Sequence, residues 1–338
     1  MAQAVIMAGG QGERFWPLTH ERFPKYRIRF DGKRSLLQKT YSRLLRAYGA
    51  KNVHVVTTRR HASMILEELP EFSKSRLILE PARRNTANAV HLATLLLGRR
   101  FGGDEVISFF PADHLIQNEA LFRRTLKAAA RLAAEKAVLV TVGIRPTFPA
   151  TGYGYIRTGR SLRGFSGGFC VRRFVEKPDR GKALRYIRQK DFLWNSGIFT
   201  WRAGVFLETM RRFAPEIARV LDLKRLGASY RRLPVVSIDR ALLEKADNIA
   251  VQRTAMDWCD MGSWDMLMEK SAKDRHGNVA WGRFCQGSSR DVFVMGRDHR
   301  PIVTFGVKNL LIVQTERGLL VCPRGRSEEA ALLAKRNF

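Results

Sequence analysis

The chain has 338 residues, 45% of them hydrophobic, which is enough for one large domain and a smaller one. Its 60 Lys and Arg exceed its 31 Asp and Glu by 29, but they are dispersed, which argues against a specific nucleic-acid partner and for a solvated surface that partly serves anionic substrates. No apolar run reaches the roughly 20 residues of a membrane helix and the N-terminus has the pattern of a strand rather than a leader, so we expect a cytoplasmic protein with no membrane span.

The first predicted element is a buried strand, Ala4–Met7, that runs into a glycine-rich loop. The loop residues are Ala8, Gly9, Gly10 and Gly12. Backbone N–H groups in such a loop suit phosphate oxygens, and Arg14 and Lys25 supply the positive charge that a polyphosphate needs. No Gly-Lys-Ser/Thr follows, which excludes a Walker loop, and Phe15 stands where a dinucleotide fingerprint has its third glycine.

Helices and strands then alternate along the chain. Ser35 is a candidate N-cap of a helix that ends at Gly49. Further helices are predicted over 61–69, from Asn85 through Leu97, and over 119–135, with strands over 52–57, 77–79, 106–110 and 138–142. Because these strands are nearly all apolar, we expect a mostly parallel sheet with helices on both faces. Ligands of such sheets bind at the carboxyl ends of the strands.

One carboxylate stands at such a strand end. Asp113 follows Pro111 directly after the strand over 106–110. It can hold Mg²⁺ against phosphate oxygens, or it can cap the next turn. Its expected position beside the glycine loop favours the metal site.

From residue 278 onward the predicted strands are short and rich in Val, Phe and Ile, with turns rich in Gly, Asp and Arg between them. This pattern predicts a small all-β region. Residues 327–335 have the pattern of a closing amphipathic helix.

Five motifs in their order resemble those of the sugar-phosphate nucleotidyltransferases, and the variant with Trp16-Pro17-Leu18 is similar to the mannose-1-phosphate guanylyltransferases. The motifs are the glycine loop with Pro24-Lys25, Glu80-Pro81 with Asn85-Thr86-Ala87, Pro111-Ala112-Asp113, Glu176-Lys177-Pro178 with Asn195-Ser196-Gly197, and Asp257 to Trp264. The resemblance covers residues 10–325. Two positions depart from it: Tyr26 replaces a Gln, and Asn88 replaces a proline.

The resemblance implies roles for these residues. The implied nucleotide-binding residues are Ala8, Gly9, Gly10, Gly12, Arg14, Lys25, Glu80, Asn85, Thr86, Pro111 and Asp113. The implied sugar-phosphate-binding residues are Gly152, Glu176, Lys177 and Asn195. Asp113 and Asp260 are implied as Mg²⁺ ligands, with Asp257 as the rival of Asp260. The implied catalytic residues are Arg14, Lys25, Asp113, Lys177 and Asp260.

Glu80 is the candidate reader of the base. Guanine presents N1–H beside an exocyclic amino group, so one carboxylate can accept from both. The alternative is a strand-end glutamate in a surface salt bridge.

The implied fold is a Rossmann-like, GT-A-like nucleotidyltransferase domain over 1–270 and a small β-helix-like domain over 278–338, through which relatives often dimerise. The implied reaction transfers GMP from GTP to α-D-mannose 1-phosphate and releases pyrophosphate. Two alternatives stay open. The chain could use another hexose or base, or it could be a catalytically silent, regulatory paralogue that binds sugar nucleotides.

Overall fold

The computed structural model describes residues 2–10, 12–30, 32–297 and 299–337. Gln11 of the glycine loop lies outside the described residues. The chain forms two compact units: unit 1 comprises residues 2–9 and 34–258, and unit 2 comprises the described residues of 10–33 and 259–337. The glycine loop therefore begins in unit 1 and continues in unit 2. The domain limits 1–270 and 278–338 stay a prediction.

Unit 1 contains ten strands and eight α-helices among its described residues. The strands are β1 (Ala2–Met7), β2 (Val53–Thr58), β3 (Leu77–Glu80), β4 (Val106–Pro111), β5 (Leu115–Ile116), β6 (Leu139–Ile144), β7 (Tyr155–Ser161), β8 (Gly168–Val175), β9 (Phe192–Arg202) and β10 (Ile249–Thr254). The helices are α1 (Leu36–Tyr48), α2 (Ala62–Glu68), α3 (Thr86–Phe101), α4 (Glu119–Lys136), α5 (Arg180–Ile187), α6 (Ala203–Phe213), α7 (Pro215–Ala218) and α8 (Leu226–Arg231).

Nine of these strands form one mixed sheet in the order β3-β2-β1-β4-β9-β6-β10-β8-β7. Strands β1 to β4 are mutually parallel, and β9 runs antiparallel between β4 and β6. Met7 pairs with Pro111, and Thr58 pairs with Glu80. The carboxyl ends of β1, β3 and β4 therefore lie at one edge of the sheet, which we call the carboxyl edge.

The predicted helices α1, α2 and α4 begin and end within about one residue of the expected positions, whereas α3 runs four residues past Leu97 to Phe101. Ser35 caps α1 in a reciprocal capping box with Gln38, and Gly49 ends the helix with a positive φ. Helix α3 packs against β1, β2 and β3, and α4 packs against β6, β9 and β10. In the core the ring of Trp201 stacks on Phe206 at a centroid distance of 4.5 Å. The predicted mixed, mostly parallel sheet is confirmed.

Unit 2 contains the strand-rich C-terminal region, and β11 (Trp258–Cys259) lies where the chain enters it. Its elements are α9 (Trp264–Lys270), β12 (Val279–Trp281), β13 (Phe284–Gly287), β14 (Phe293–Gly296), β15 (Ile302–Phe305), β16 (Leu310–Thr315), β17 (Gly318–Pro323) and α10 (Ser327–Asn337). Strands β12, β14 and β16 are parallel neighbours, as are β13 and β15. This stacking of short parallel strands confirms the predicted β-rich region.

The segment 10–33 belongs to unit 2 because its aromatic residues pack there. Phe15 lies edge-on to Trp264 at a centroid distance of 4.9 Å, and Trp264 donates its indole N–H to the carbonyl of Trp16 at 3.0 Å. Across the described ranges of both units, no helix has the length and apolar character that crossing a membrane requires.

Candidate active site

The carboxyl edge of unit 1 brings together Gly9, Glu80 and Asp113. A Cβ on Gly9 would lie 3.7 Å from Oε1 of Glu80. The N–H of Ala112, directly before Asp113, donates to the carbonyl of Met7 at 3.2 Å. Asp113 itself is half-buried. Sequence segments about 30 and 70 residues apart therefore meet beside the start of the glycine loop, as parallel-strand topology requires.

The backbone of Ala8 is fully used by the fold. Its N–H donates to Val56 at 3.0 Å, and its carbonyl accepts from the hydroxyl of Thr57 at 2.7 Å. Ala8 can shape the loop, but its backbone N–H is not free to bind a phosphate.

The Glu80 carboxylate is buried and held by a tyrosine that the motifs did not predict. Glu80 is only 6% exposed, and its Oε2 accepts a hydrogen bond from the hydroxyl of Tyr230 at 2.6 Å. Burial raises the pKa of Glu80 to about 7, against the opposing effects of the Tyr230 hydrogen bond and of Arg83. The alternative of a surface salt bridge does not fit a carboxylate this deeply buried.

Asn85 and Thr86 anchor the start of α3. Asn85 has a φ of 67° and accepts from the N–H of Thr86 at 2.7 Å, and the Thr86 hydroxyl accepts from the N–H of Ile238 at 3.0 Å. Asn88, one of the two departures, is fully buried and donates its amide N–H groups to Arg84 and Pro234 at 2.6 and 2.7 Å. Asn88 therefore ties the turn before α3 to the chain after α8.

Three of the four predicted sugar-phosphate residues, Glu176, Lys177 and Asn195, form one cluster in unit 1. Glu176 Oε1 lies 3.0 Å from the ammonium of Lys177. A Cβ on Gly154 would lie 2.8 Å from Oε2 of Glu176 and 3.3 Å from Cβ of Asn195. Gly152 is half-buried in the bend before β7. Gly154 is thus the glycine that lets Glu176 and Asn195 approach each other.

A further acid that the motifs did not predict completes this cluster. Asp239 accepts from the amide of Asn195 at 2.9 Å, while the Asn195 carbonyl accepts from Thr141 at 2.7 Å. Burial, followed by repulsion from Glu176, raises the pKa of Asp239 to about 7. The amide of Asn195 is therefore fixed in one orientation.

The turn after Asn195 lies against the end of β4. Gly197 has a φ of 69°, and a Cβ there would lie 3.5 Å from Pro111 and 3.8 Å from the His114 ring. The sugar cluster and the nucleotide motifs of unit 1 therefore occupy the same carboxyl edge. Trp258 also donates its indole N–H to His114 at 3.1 Å, a contact with no signal in the sequence.

Unit 2 gathers the remaining predicted residues of the loop. The ammonium of the buried Lys25 donates to the backbone carbonyl of Asp260 at 2.6 Å. A Cβ on Gly12, whose φ is 75°, would lie 2.4 Å from Cβ of Lys25, so only glycine fits there. A Cβ on Gly262 would lie 2.9 Å from the Asp260 carboxylate and 3.3 Å from the guanidinium of Arg14. Lys25 thus lies beside the glycine loop at Gly12, and the Asp260 carboxylate and the Arg14 guanidinium both lie beside Gly262.

Helix α10 also contacts this loop. Glu328 pairs with Arg14 at 3.3 Å, and Lys335 pairs with Glu13 at 2.6 Å. Both pairs are exposed, where such interactions contribute about 0–1 kcal/mol. The guanidinium of Arg14 can therefore exchange Glu328 for a phosphate at little cost.

Backbone strain marks three of the motifs. Asn85, Lys177 and Met261 have φ values of 67°, 47° and 49°. Non-glycine residues in this region cost about 1–3 kcal/mol each and cluster at functional sites. Among the described residues, three of the seven non-glycine residues with positive φ therefore lie in the base, sugar-phosphate and second-carboxylate motifs, and the other four, Ala137, Ser288, Asp291 and Asn309, lie elsewhere.

Comparison with known proteins identifies the family of the chain. Residues 3–277 match the family described as Nucleotidyl transferase. The chain belongs to the nucleotidyltransferase family. The resemblance inferred from the motifs is confirmed, and the chain is an enzyme of nucleotidyl transfer.

Relatives of this nucleotidyltransferase cover nearly its whole length. The xanthan biosynthesis protein XanB of Xanthomonas campestris is 38% identical over 96% of this chain and 71% of its own. The mannose-1-phosphate guanylyltransferase of Klebsiella pneumoniae is 36% identical over 97% of this chain and 72% of its own. A crystal structure described as mannose-1-phosphate geranyltransferase from Thermus thermophilus has 31% identity and a TM-score of 0.88, covering 99% of this chain and 98% of that one.

The donor set of the nucleotidyltransferase fits a hard divalent ion. No group of three or more His, Cys, Asp or Glu side chains with metal-ligand geometry occurs in the described ranges 2–10, 12–30, 32–297 and 299–337. Mg²⁺ typically takes only one or two carboxylates and completes its shell with phosphate and water. Gly262 keeps space open beside the Asp260 oxygens, because a Cβ there would lie 2.9 Å from Oδ2. Asp113 of unit 1 and Asp260 of unit 2 are each half-buried, whereas Asp257 is exposed.

Proposed function

We propose that the enzyme is a mannose-1-phosphate guanylyltransferase, which transfers GMP from GTP to α-D-mannose 1-phosphate. The observation that carries this proposal is the carboxyl edge of unit 1, where the buried Glu80 lies beside Gly9 and the Asn195–Gly197 turn lies beside Pro111. At this edge one carboxylate can accept hydrogen bonds from a base, and the Glu176–Asn195 cluster can bind sugar hydroxyls. Such an edge suits a nucleotide and a hexose phosphate. The relative from Klebsiella pneumoniae carries this activity in its name.

In the proposed reaction an oxygen of the sugar phosphate attacks the α-phosphorus of GTP in line, and pyrophosphate leaves. Such transfers depend on positioning and charge neutralisation. Arg14, Lys25 and the N–H groups of Gly9, Gly10 and Gly12 hold the triphosphate and stabilise the leaving group. Lys177 aims the attacking phosphate. No general base is needed, because this phosphate is already ionised near neutral pH.

We further propose Asp113 and Asp260 as ligands of Mg²⁺. When bound, Mg²⁺ neutralises charge on the α-phosphate during transfer. The nucleotide site is also shaped by residues that hold its segments in place. The hydrogen bonds of Asn85 and Thr86 fix the turn that follows Glu80. Pro111, which packs beside Gly197, fixes the segment that carries Asp113. Gly152 and Glu176 contribute to the hexose site together with Asn195.

The reaction is tested by measuring pyrophosphate release with GTP, ATP, UTP and dTTP against mannose, glucose and fucose 1-phosphates, with and without EDTA. We expect the GTP and mannose 1-phosphate pair to turn over fastest, and EDTA to abolish turnover. A faster rate with another pair would assign another sugar nucleotide. Binding of GTP without any pyrophosphate release would indicate the silent paralogue.

Replacing Glu80 with glutamine should weaken the use of GTP more than that of ATP. The amide keeps the shape but offers guanine one acceptor and one clashing donor instead of two acceptors. We expect kcat/KM for GTP to fall by about 10- to 100-fold, as for the loss of a charged hydrogen bond of about 1.5–3 kcal/mol, and kcat/KM for ATP to change little. An unchanged ratio of kcat/KM for GTP to that for ATP would show that Glu80 does not recognise the base.

Replacing Gly154 with alanine should raise the KM for the sugar phosphate by about 10-fold, in line with an overpacking cost of about 1–3 kcal/mol. The added methyl group would displace Glu176 or Asn195, which lie 2.8 and 3.3 Å from its position. The KM for GTP should stay within about 2-fold, because the clash is confined to the sugar cluster. Gly227→Ala is the matched control, since a Cβ there meets no atom within 4 Å. Equal effects on both substrates would contradict a role confined to the sugar.

On the resemblance alone we also propose a cytoplasmic homodimer that forms through residues 278–338. Light scattering of the purified chain, with and without this segment's exposed Val303 and Phe305 replaced by serine, tests the dimer.

A further inference from the structure

We propose that Tyr230 is a positioning residue for nucleobase recognition, whose hydroxyl fixes the Glu80 carboxylate so that Oε1 is directed toward the start of the glycine loop. This inference rests on the proposed function, because it assigns Glu80 to the base. Neither the sequence motifs nor the relatives' names point to Tyr230. The contacts that support this role all lie within unit 1.

The hydroxyl of Tyr230 has one fixed position. The tyrosine is fully buried in α8 and donates to Oε2 of Glu80 at 2.6 Å. The other oxygen, Oε1, is the one that a Cβ on Gly9 would meet at 3.7 Å. Because one oxygen is held from the core side, the plane of the carboxylate cannot rotate freely. The carboxylate keeps lone pairs on both oxygens for further donors.

Two more contacts tie α8 to the segment that carries Glu80. The guanidinium of Arg84 donates to the carbonyl of Arg231, and the amide of Asn88 donates to Pro234 at 2.7 Å. These contacts follow Tyr230 closely in the sequence. Together with the Tyr230 hydrogen bond they set the distance between α8 and residues 80–88. Asn88, which replaces the proline of the family pattern, provides one of these contacts.

The chemistry of the pair suits guanine. Guanine offers two adjacent donors, whereas adenine offers one donor beside the acceptor N1, which an ionised carboxylate repels. Burial and the Glu80 charge raise the pKa of Tyr230, so the phenol stays a donor at neutral pH. A phenol donor stabilises the ionised form of Glu80, which is the form that accepts from guanine.

The test is Tyr230→Phe, which removes one oxygen and keeps the ring in the core. We expect the affinity for GTP, measured by calorimetry, to fall by about 10-fold, and the affinity for ATP to change by less than about 2-fold. The KM for the sugar phosphate should not change, since the hydroxyl that is removed donates to Glu80 of the base site. Tyr41→Phe is the matched control, because Tyr41 is also buried and packs on Phe72.

A second readout separates positioning from mere packing. The charged groups that face this pair are Arg83 beside Glu80 and Arg84 beside Tyr230. In the wild type, the preference for GTP over ATP should rise with pH through about 7, as Glu80 ionises. The Tyr230 hydrogen bond lowers the pKa of Glu80, so Tyr230→Phe should move this midpoint to higher pH.

The outcomes are distinguishable. If Tyr230→Phe keeps the GTP/ATP ratio and the pH midpoint of the wild type, Tyr230 is only a packing residue and the inference fails. If the wild-type enzyme prefers another base, the proposed function fails. In that case the same calorimetric comparison with the preferred nucleotide shows whether Tyr230 positions Glu80, because binding is measured without turnover.

Discussion

Replacing Lys25 with alanine should reduce kcat by about 10²–10³-fold, the usual cost of removing one preorganised donor from a developing charge. Lys25 is buried against Gly12, and its ammonium reaches the carbonyl of Asp260 at 2.6 Å. A cation held in this way needs no reorganisation when charge develops on the leaving pyrophosphate. In the reverse direction, the KM for pyrophosphate should rise by a similar factor.

Alanine also leaves a cavity at this buried position, so a second variant is needed. Lys25→Met keeps most of the stem and removes only the charge, and it should lose as much kcat while its melting temperature stays near that of the wild type. Lys308→Met, at an exposed lysine of the same unit, is the matched control and should behave as the wild type. A kcat of Lys25→Met within about 3-fold of the control would contradict the assignment, since one preorganised donor is worth far more than that.

The parts of the site that local patterns encode were predictable. A glycine or a carboxylate stands at or within two residues of the carboxyl ends of β1, β3 and β4, and parallel topology brings these ends to one edge. For that reason Gly9, Glu80 and Asp113 could be expected together before any coordinates, and the structure places them so. Capping chemistry likewise fixed α1 between Ser35 and Gly49.

The residues that support the site were not predictable. Tyr230 contacts Glu80 across 150 residues of sequence, and Asp239 contacts Asn195 across 44. In the sequence, Tyr230 cannot be told from an ordinary core tyrosine, and Asp239 cannot be told from an ordinary helix-capping aspartate. Only tertiary packing shows what their polar atoms bind. The same holds for the segment 10–33, whose Trp16 accepts from Trp264 across 248 residues.

Replacing either Asp113 or Asp260 with asparagine should reduce kcat by about 10³-fold or more, on the order of 4 kcal/mol of transition-state stabilisation. Asparagine keeps the size of the side chain but removes the negative charge that a divalent ion requires. The Mg²⁺ concentration for half-maximal rate should rise in both variants. Neither substitution should alter the fold, because both side chains are half-buried rather than core residues.

Asp257→Asn provides the matched control for this experiment. It is exposed and lies in the same motif as Asp260, so it tests whether any carboxylate of that motif suffices. We expect it to keep the kcat and the Mg²⁺ dependence of the wild type. Titrating Mn²⁺ into each variant and following its electron paramagnetic resonance signal measures metal binding apart from turnover. Wild-type turnover in both Asp113→Asn and Asp260→Asn would remove the metal assignment, whereas loss in Asp257→Asn with retention in Asp260→Asn would transfer the ligand role to Asp257.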